Sequence, residues 1–144
     1  MNSDFIVAVH AMTFLCHKGT VLSSEALADN VCTNPARVRR VMSKLKKVGL
    51  VNAREGRTGG GFFNPEAGQI TLAEIGSALH VSFADFNWRS GDLERNCLVC
   101  SGMSDYMDLL QQTIDHRCME YLSSIKIKDV EHWLIDRQER SADK

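Results

Sequence analysis

The chain has 144 residues, 44% of them hydrophobic, which suits one compact unit with a packed core and argues against wholesale disorder. No stretch approaches the roughly 20 apolar residues of a membrane span, and residues 1–4 lack the basic-then-apolar pattern of a secretion signal, so the expected setting is cytoplasmic with no membrane partner. A formal net charge of -1 seems to exclude a polyanion partner, but between Val31 and Arg54 the basic residues Arg37, Arg39, Arg40, Lys44, Lys46, Lys47 and Arg54 stand without a single acid.

The first helix is predicted over residues 4–18, where Phe5, Val9, Met12 and Cys16 recur at helical spacing and Gly19 is placed to end it. Ser23 or Ser24 caps a short second helix running to Val31, with Leu27, Ala28 and Val31 facing inward. After the turn Cys32-Thr33-Asn34, Asn34 is the N-cap of a third helix, Pro35 occupies its first position, and Gly49 stops it after about Val48. At about 100° per residue, Val38, Val41, Met42 and Leu45 share one face of this helix while Arg40, Ser43 and Lys47 point the opposite way. Two helices joined by a tight turn, the second apolar on one side and cationic on the other, have the helix-turn-helix layout.

Leu50 to Glu55 is a strand candidate. The glycine-rich run from Gly56 to Gly61 and the aromatic Phe62-Phe63 complete a β-hairpin, a wing in which Arg54 and Arg57 supply charge and Thr58 and Gly59 bring backbone close to phosphate. The run lacks the Gly-Lys-Ser/Thr ending of a nucleotide-binding loop and no helix follows it. Thr71 and Glu74 form a capping box that opens a helix to about Leu79. Residues 81–103 read as irregular. A long helix is predicted over 104–124 on the stripe Met107, Leu110, Ile114, Cys118, Tyr121 and Ile125, longer than a small winged helix needs and suited to pairing with a second copy. A short element over 127–134 and a frayed tail from Arg137 finish the chain. The fold class is therefore mainly α with a small β-hairpin wing: a winged helix-turn-helix over 1–80, then a loop and dimerisation helix over 81–144.

The series Leu27-Ala28, Asn34-Pro35, Val38-Arg39-Arg40-Val41, Leu45 to Val51, Gly59-Gly60-Gly61-Phe62 and Ile70 to Ile75 resembles the Rrf-type (Rrf two) family of winged-helix regulators over essentially the whole chain. The resemblance implies a homodimer, a long C-terminal dimerisation helix and repression of an operon. It places the start of the third helix in the major groove and the wing at the minor groove. It also exposes a departure. Cluster-binding members carry three cysteines close together before the long helix, whereas this chain offers only Cys97 and Cys100 there, with Cys118 far along the helix. No cofactor is expected, and Asn96, Cys97 and Val99 are similar to the cluster-free branch.

On these grounds the expected partners are double-stranded operator DNA and a second copy of the chain. Phosphate contacts are assigned to Arg37, Lys44, Lys47 and Arg57, with Arg54, Thr58 and Gly59 on the wing, and base or groove contacts to Asn34, Arg39 and Arg40. Three readings of Cys97 and Cys100 remain open: inert thiols, a Cys-x-x-Cys redox switch with Cys32 as partner, or zinc ligands with His116 and Cys118. His10, His17, His80 and His132 are scattered, and no serine-histidine-acid or paired-carboxylate pattern points to an enzyme. The competing readings of the whole chain are a metal or iron–sulfur sensing regulator, and an interaction module that keeps the fold without reading DNA.

Overall fold

The structure, a computed structural model, describes residues 2–56 and 60–143. Helix α1 (Ser3–Lys18) stops where Gly19 turns left-handed at φ 64°, its amide donating to the Leu15 carbonyl. Helix α2 (Ser24–Val31) is capped by Ser23, whose hydroxyl accepts from the Ala26 amide at 3.0 Å. Helix α3 (Pro35–Lys47) begins behind Asn34, whose Oδ1 accepts from the Arg37 amide at 2.8 Å, with proline at the first helical position. These local signals lie where the sequence puts them.

Strands β1 (Asn52–Arg54) and β2 (Gly61–Phe63) pair antiparallel, with Ala53 opposite Phe62. Leu22 adds a one-residue bridge to the outer side of β2, exchanging hydrogen bonds of 3.0 and 2.9 Å with Phe62. Gly61 makes that approach possible, since a Cβ there would collide with the Leu22 carbonyl. The wing is thus hinged directly on the segment that caps α2. Its tip residues Arg57, Thr58 and Gly59 lie outside the described residues.

Helix α4 (Leu72–Ala78) opens on the expected capping box, with Glu74 N–H donating to Thr71 Oγ1 at 3.1 Å and Thr71 N–H to Glu74 Oε2 at 2.7 Å. Helix α5 (Leu98–Leu122) starts six residues before the predicted Ser104, with Cys97 as its N-cap. The residues over 98–103 carry exposed Leu98, Val99 and Met103, so no one-sided packing pattern announces a helix there. The preceding irregular segment is held along α5. Asp115 accepts from the Ser82 hydroxyl and the Phe83 and Ala84 amides at 2.7, 2.7 and 2.9 Å.

Helix α6 (Ile127–Ala142) is twice the expected length, and the tail predicted to fray from Arg137 is helical to Ala142. Its second half makes little packing contact to mark it in sequence, but residues such as Gln138, Glu139 and Arg140 sustain helix on propensity. The entry to α6 is anchored by two backbone bonds, Leu72 N–H to the Ile125 carbonyl at 2.9 Å and Ile127 N–H to the Ile70 carbonyl at 2.8 Å.

The core gathers Val7, Ala8, Ala11, Met12 and Leu15 of α1 with Leu27, Val38, Val41, Met42, Leu45, Val51, Phe62 and Ile75, and takes Ile127 from α6. The buried arc of α1 is centred on Val7, Ala8 and Ala11, while the predicted stripe residues Phe5, Val9 and Cys16 are half-buried at its edges. The reason is position: α1 touches α2, α3, α4 and α6, so a helix enclosed on several sides buries a wider arc than one stripe describes.

Candidate nucleic-acid interface

The chemistry of α3 follows from its two faces. Val38, Val41, Met42 and Leu45 are fully buried, which fixes the helix's rotation about its axis. With that rotation fixed, Arg39, Arg40, Ser43, Lys44, Lys46 and Lys47 are all exposed on the outer surface, and Arg54 is exposed on the adjoining strand β1. Helix α3 and strand β1 therefore carry exposed cations on neighbouring elements, the charge pattern that suits a polyanion.

The sequence-assigned residues divide into two groups. Lys44, Lys47 and Arg54 have no carboxylate within ion-pair range among the described residues. The three arginines at the front of α3 do. Arg39 pairs with Glu25 of α2 at 3.4 Å, both well exposed. Arg37 and Arg40 converge on one carboxylate oxygen of Asp4 in the first turn of α1, at 3.2 and 3.0 Å. Nothing local in the sequence signals that convergence, because Asp4 lies 33 and 36 residues away. Asn34 has its Oδ1 committed to the helix cap, which competes with a two-point grip on adenine. Arg57, Thr58 and Gly59 fall outside the described residues.

The cysteines separate by environment. No disulfide links them; Cys32 and Cys97 are exposed, and Cys16, Cys100 and Cys118 half-buried. Cys32 occupies the left-handed C-cap of α2 at φ 65°, two residues before the cap of α3. Cys97 caps α5, its sulfur accepting from the Cys100 amide at 3.5 Å, so the two thiols share one helix N-terminus rather than the loop expected for them. Gly91, left-handed at φ 81°, lies so close to the Cys100 carbonyl that any Cβ would collide with it.

Cys16 is different. Burial pushes its thiol up to about 11, helped by the hydrogen bond to Glu131 at 3.2 Å and by that carboxylate's charge, with Lys128 opposing. Glu131 is in turn held below its ordinary value, first by the Cys16 bond and then by His17 at 3.1 Å, against the opposing effect of burial. This knot joins α1 to α6 and keeps Cys16 protonated. A groove of about 730 Å³ opens beside it between the same two helices, lined by Phe5, Val9, Phe14, Val130, Leu134 and Ile135, and none of the α3 cations reaches it.

A thiolate-held cluster or zinc ion needs several donors around one point. Among the described residues, no three His, Cys, Asp or Glu side chains are so grouped. Cys118 lies 18 residues beyond Cys100 on one continuous helix, a separation of about 27 Å along the axis. His116 sits on that distant part too. The donor set of a single chain therefore does not fit the metal or cluster readings.

Helix α5 differs in leaving large apolar side chains exposed among polar ones such as Gln112, His116 and Arg117. Ser104 is its one buried residue, whereas Leu98, Val99, Tyr106, Leu109 and Tyr121 are from 58% to 90% exposed. No helix among the described residues is long and apolar enough to cross a membrane.

Fold and surface together define a winged helix-turn-helix protein whose third helix is basic on its outer face. Comparison with known proteins narrows the class. The model of the Rrf2 family, described as an iron-dependent transcriptional regulator, matches residues 1–132. The chain is 30% identical over 135 residues to YwnA of Bacillus subtilis (strain 168), named as a helix-turn-helix-type transcriptional regulator, covering 94% of this chain and 99% of that one. A transcriptional regulator of Lactobacillus plantarum has a similar structure over 100% of both chains, with a TM-score of 0.77 at 20% identity. The T. potens IscR structure matches at a TM-score of 0.66 and 19% identity, over 97% of this chain and 89% of that one. The chain belongs to the Rrf2 family: it is a DNA-binding transcriptional regulator and not an enzyme.

Proposed function

We propose that this chain is a homodimeric repressor in the cytoplasm that reads operator DNA with α3 and the wing and is released by oxidation of surface thiols. The observation that carries the reading is the clean separation of faces on α3, a buried apolar stripe backing an outer row of cations. In this assignment Arg37, Lys44, Lys47, Arg54 and Arg57 grip phosphate, Thr58 and Gly59 bring wing backbone to the minor groove, and Asn34, Arg39 and Arg40 face the base edges. Residues 1–80 supply the reading head and residues 81–144 the pairing surface. The apolar side chains that α5 leaves in water support a second copy as its partner.

The sensing assignment rests on exposure. Cys32 stands at the entrance to α3 and Cys97 caps α5, both open to solvent. Joining Cys32 to Cys97 or Cys100 would break both S–H bonds and form one S–S bond, passing two electrons and two protons to hydrogen peroxide, whose O–O bond breaks to leave two waters. That disulfide would tie the turn before the reading helix to the start of the pairing helix.

The test is titration of a labelled duplex from upstream of the chain's own gene, before and after mild peroxide treatment and again after reductant. The expected result is tight binding lost on oxidation and regained on reduction, with Cys32→Ser insensitive to peroxide. Binding that ignores oxidation in the unmutated protein removes the thiol switch but not the DNA reading. Absence of binding to any duplex removes both.

A further inference from the structure

The carboxylate of Asp4 sits between two guanidinium groups on the leading half of α3. Its Oδ1 accepts from Arg37 Nε at 3.4 Å and Nη2 at 3.2 Å and from Arg40 Nη2 at 3.0 Å, so one oxygen serves two guanidinium groups on the leading half of α3. Asp4 is largely shielded, its side chain 20% exposed, whereas the Arg40 side chain remains 57% exposed. The anchoring groups are therefore covered and the far end of Arg40 is not.

This contact is not the sole link between α1 and α3. Helices α1 and α3 are already joined through the common core by Ala8, Ala11, Met12, Val38 and Met42. Two consequences fall on the arginines instead. First, the negative charge offsets part of the positive charge that Arg37 and Arg40 bring to the front of α3, which weakens attraction to any phosphate regardless of sequence. Second, the Nε–Nη2 edge of Arg37 is occupied and Arg40 is held by one Nη2 proton, leaving Arg40 Nε and Nη1 without a hydrogen-bond partner among the described residues. A guanidinium fixed in direction suits the two-point geometry of guanine better than a freely sweeping one.

We infer that Asp4 is a specificity-determining positioning residue, which orients Arg40 toward a base edge and suppresses indiscriminate phosphate binding by Arg37 and Arg40. The inference rests on the DNA-reading assignment of α3.

The experiment compares the unmutated protein with Asp4→Asn on two short duplexes, one of random sequence and one from upstream of its own gene, over a series of salt concentrations. Asp4→Asn should bind the random duplex about five-fold more tightly at low salt, with a log–log salt slope steeper by about 0.9 for the phosphate gained. The ratio of affinities for the two duplexes should fall several-fold. An unchanged random-duplex affinity and slope would overturn the inference. Parallel weakening on both duplexes would also overturn it, since that marks Asp4 as a tether between helices. Thermal melting checks that the variant is folded, and Asp4→Ser, which keeps a hydroxyl acceptor at the start of α1, replaces it if it is not. Lys44→Ala serves as the separate arm. It is not in contact with Asp4, and weaker binding by it upholds DNA reading by α3 even when Asp4→Asn changes nothing; a protein that binds neither duplex overturns both.

Discussion

Helices α3 and α5 are both amphipathic, and they finish their surfaces in opposite ways. In α3 every large apolar side chain of the helix proper is in the core and what remains outside is mostly charged. In α5, nearly twice as long, one residue is buried while leucine, valine, methionine and tyrosine side chains stay in water. Burial of apolar area is the main favourable term in folding, so a helix that leaves so much exposed has its stabilising partner elsewhere. A surface completed with cations calls for a polyanion; one left apolar calls for another apolar surface. The two ends of the molecule thus ask for different partners.

The largest expected effect that tests this contrast is in the core behind α3. Leu45→Ala removes a fully buried side chain and should lower unfolding free energy by about 2–5 kcal/mol, whereas Leu109→Ala should cost the isolated chain well under 1 kcal/mol. Denaturant titration of the two variants at low protein concentration reads the difference. Next in size, Tyr106→Glu places a charge on the exposed face of α5 and should weaken self-association about ten-fold or more while leaving the fold intact. Sedimentation velocity over a concentration series measures it, and an unchanged mass distribution would remove α5 as the pairing surface.

The polar knots that hold each region make a pH prediction. Burial alone would raise the Asp115 carboxyl, but its bonds from Ser82, Ala84 and Phe83 outweigh that and hold it below its ordinary 3.8; Glu131 is likewise held below 4.5. Groups depressed in the folded state stabilise fully above their ordinary values and lose that contribution as pH falls through the folded ones. Stability should therefore decline on acidification below about 4.5, and Asp115→Asn or Glu131→Gln should flatten the decline. Cys16 acts at the other end. The unfolded thiol ionises at 9.0 and the folded one at about 11, so its contribution is complete below pH 9.0 and fades toward 11. Melting temperatures across both ranges test the signs. The smallest effect belongs to Arg39→Ala: its pair with Glu25 is open to solvent, so stability should move by less than about 0.5 kcal/mol.

How much of this was legible in the sequence depended on distance along the chain. The caps at Ser23, Asn34 and Thr71, the stop at Gly19 and the faces of α3 are local patterns, set by neighbours three or four residues away. The start of α5 was not legible, because its apolar residues face water in the single chain and its cap is a cysteine, an unusual residue for that role. The second half of α6 was hidden for a similar reason. At the candidate site, the cationic face was readable from spacing, but the hold of Asp4 on Arg37 and Arg40, and that of Glu131 on Cys16, join residues separated by 33, 36 and 115 positions. Only the packing of α1 against α3 and α6 brings those groups together.

The central claim is that the outer face of α3 grips the DNA backbone. Its most direct test is the salt dependence of duplex binding by the unmutated protein and by the Lys44→Ala, Lys47→Ala double variant. Each lysine that neutralises a phosphate contributes about 0.9 to the log–log slope. The double variant should therefore bind more weakly and with a slope shallower by about 1.8, while its melting temperature stays unchanged. Equal affinities and equal slopes in a folded double variant would contradict the account.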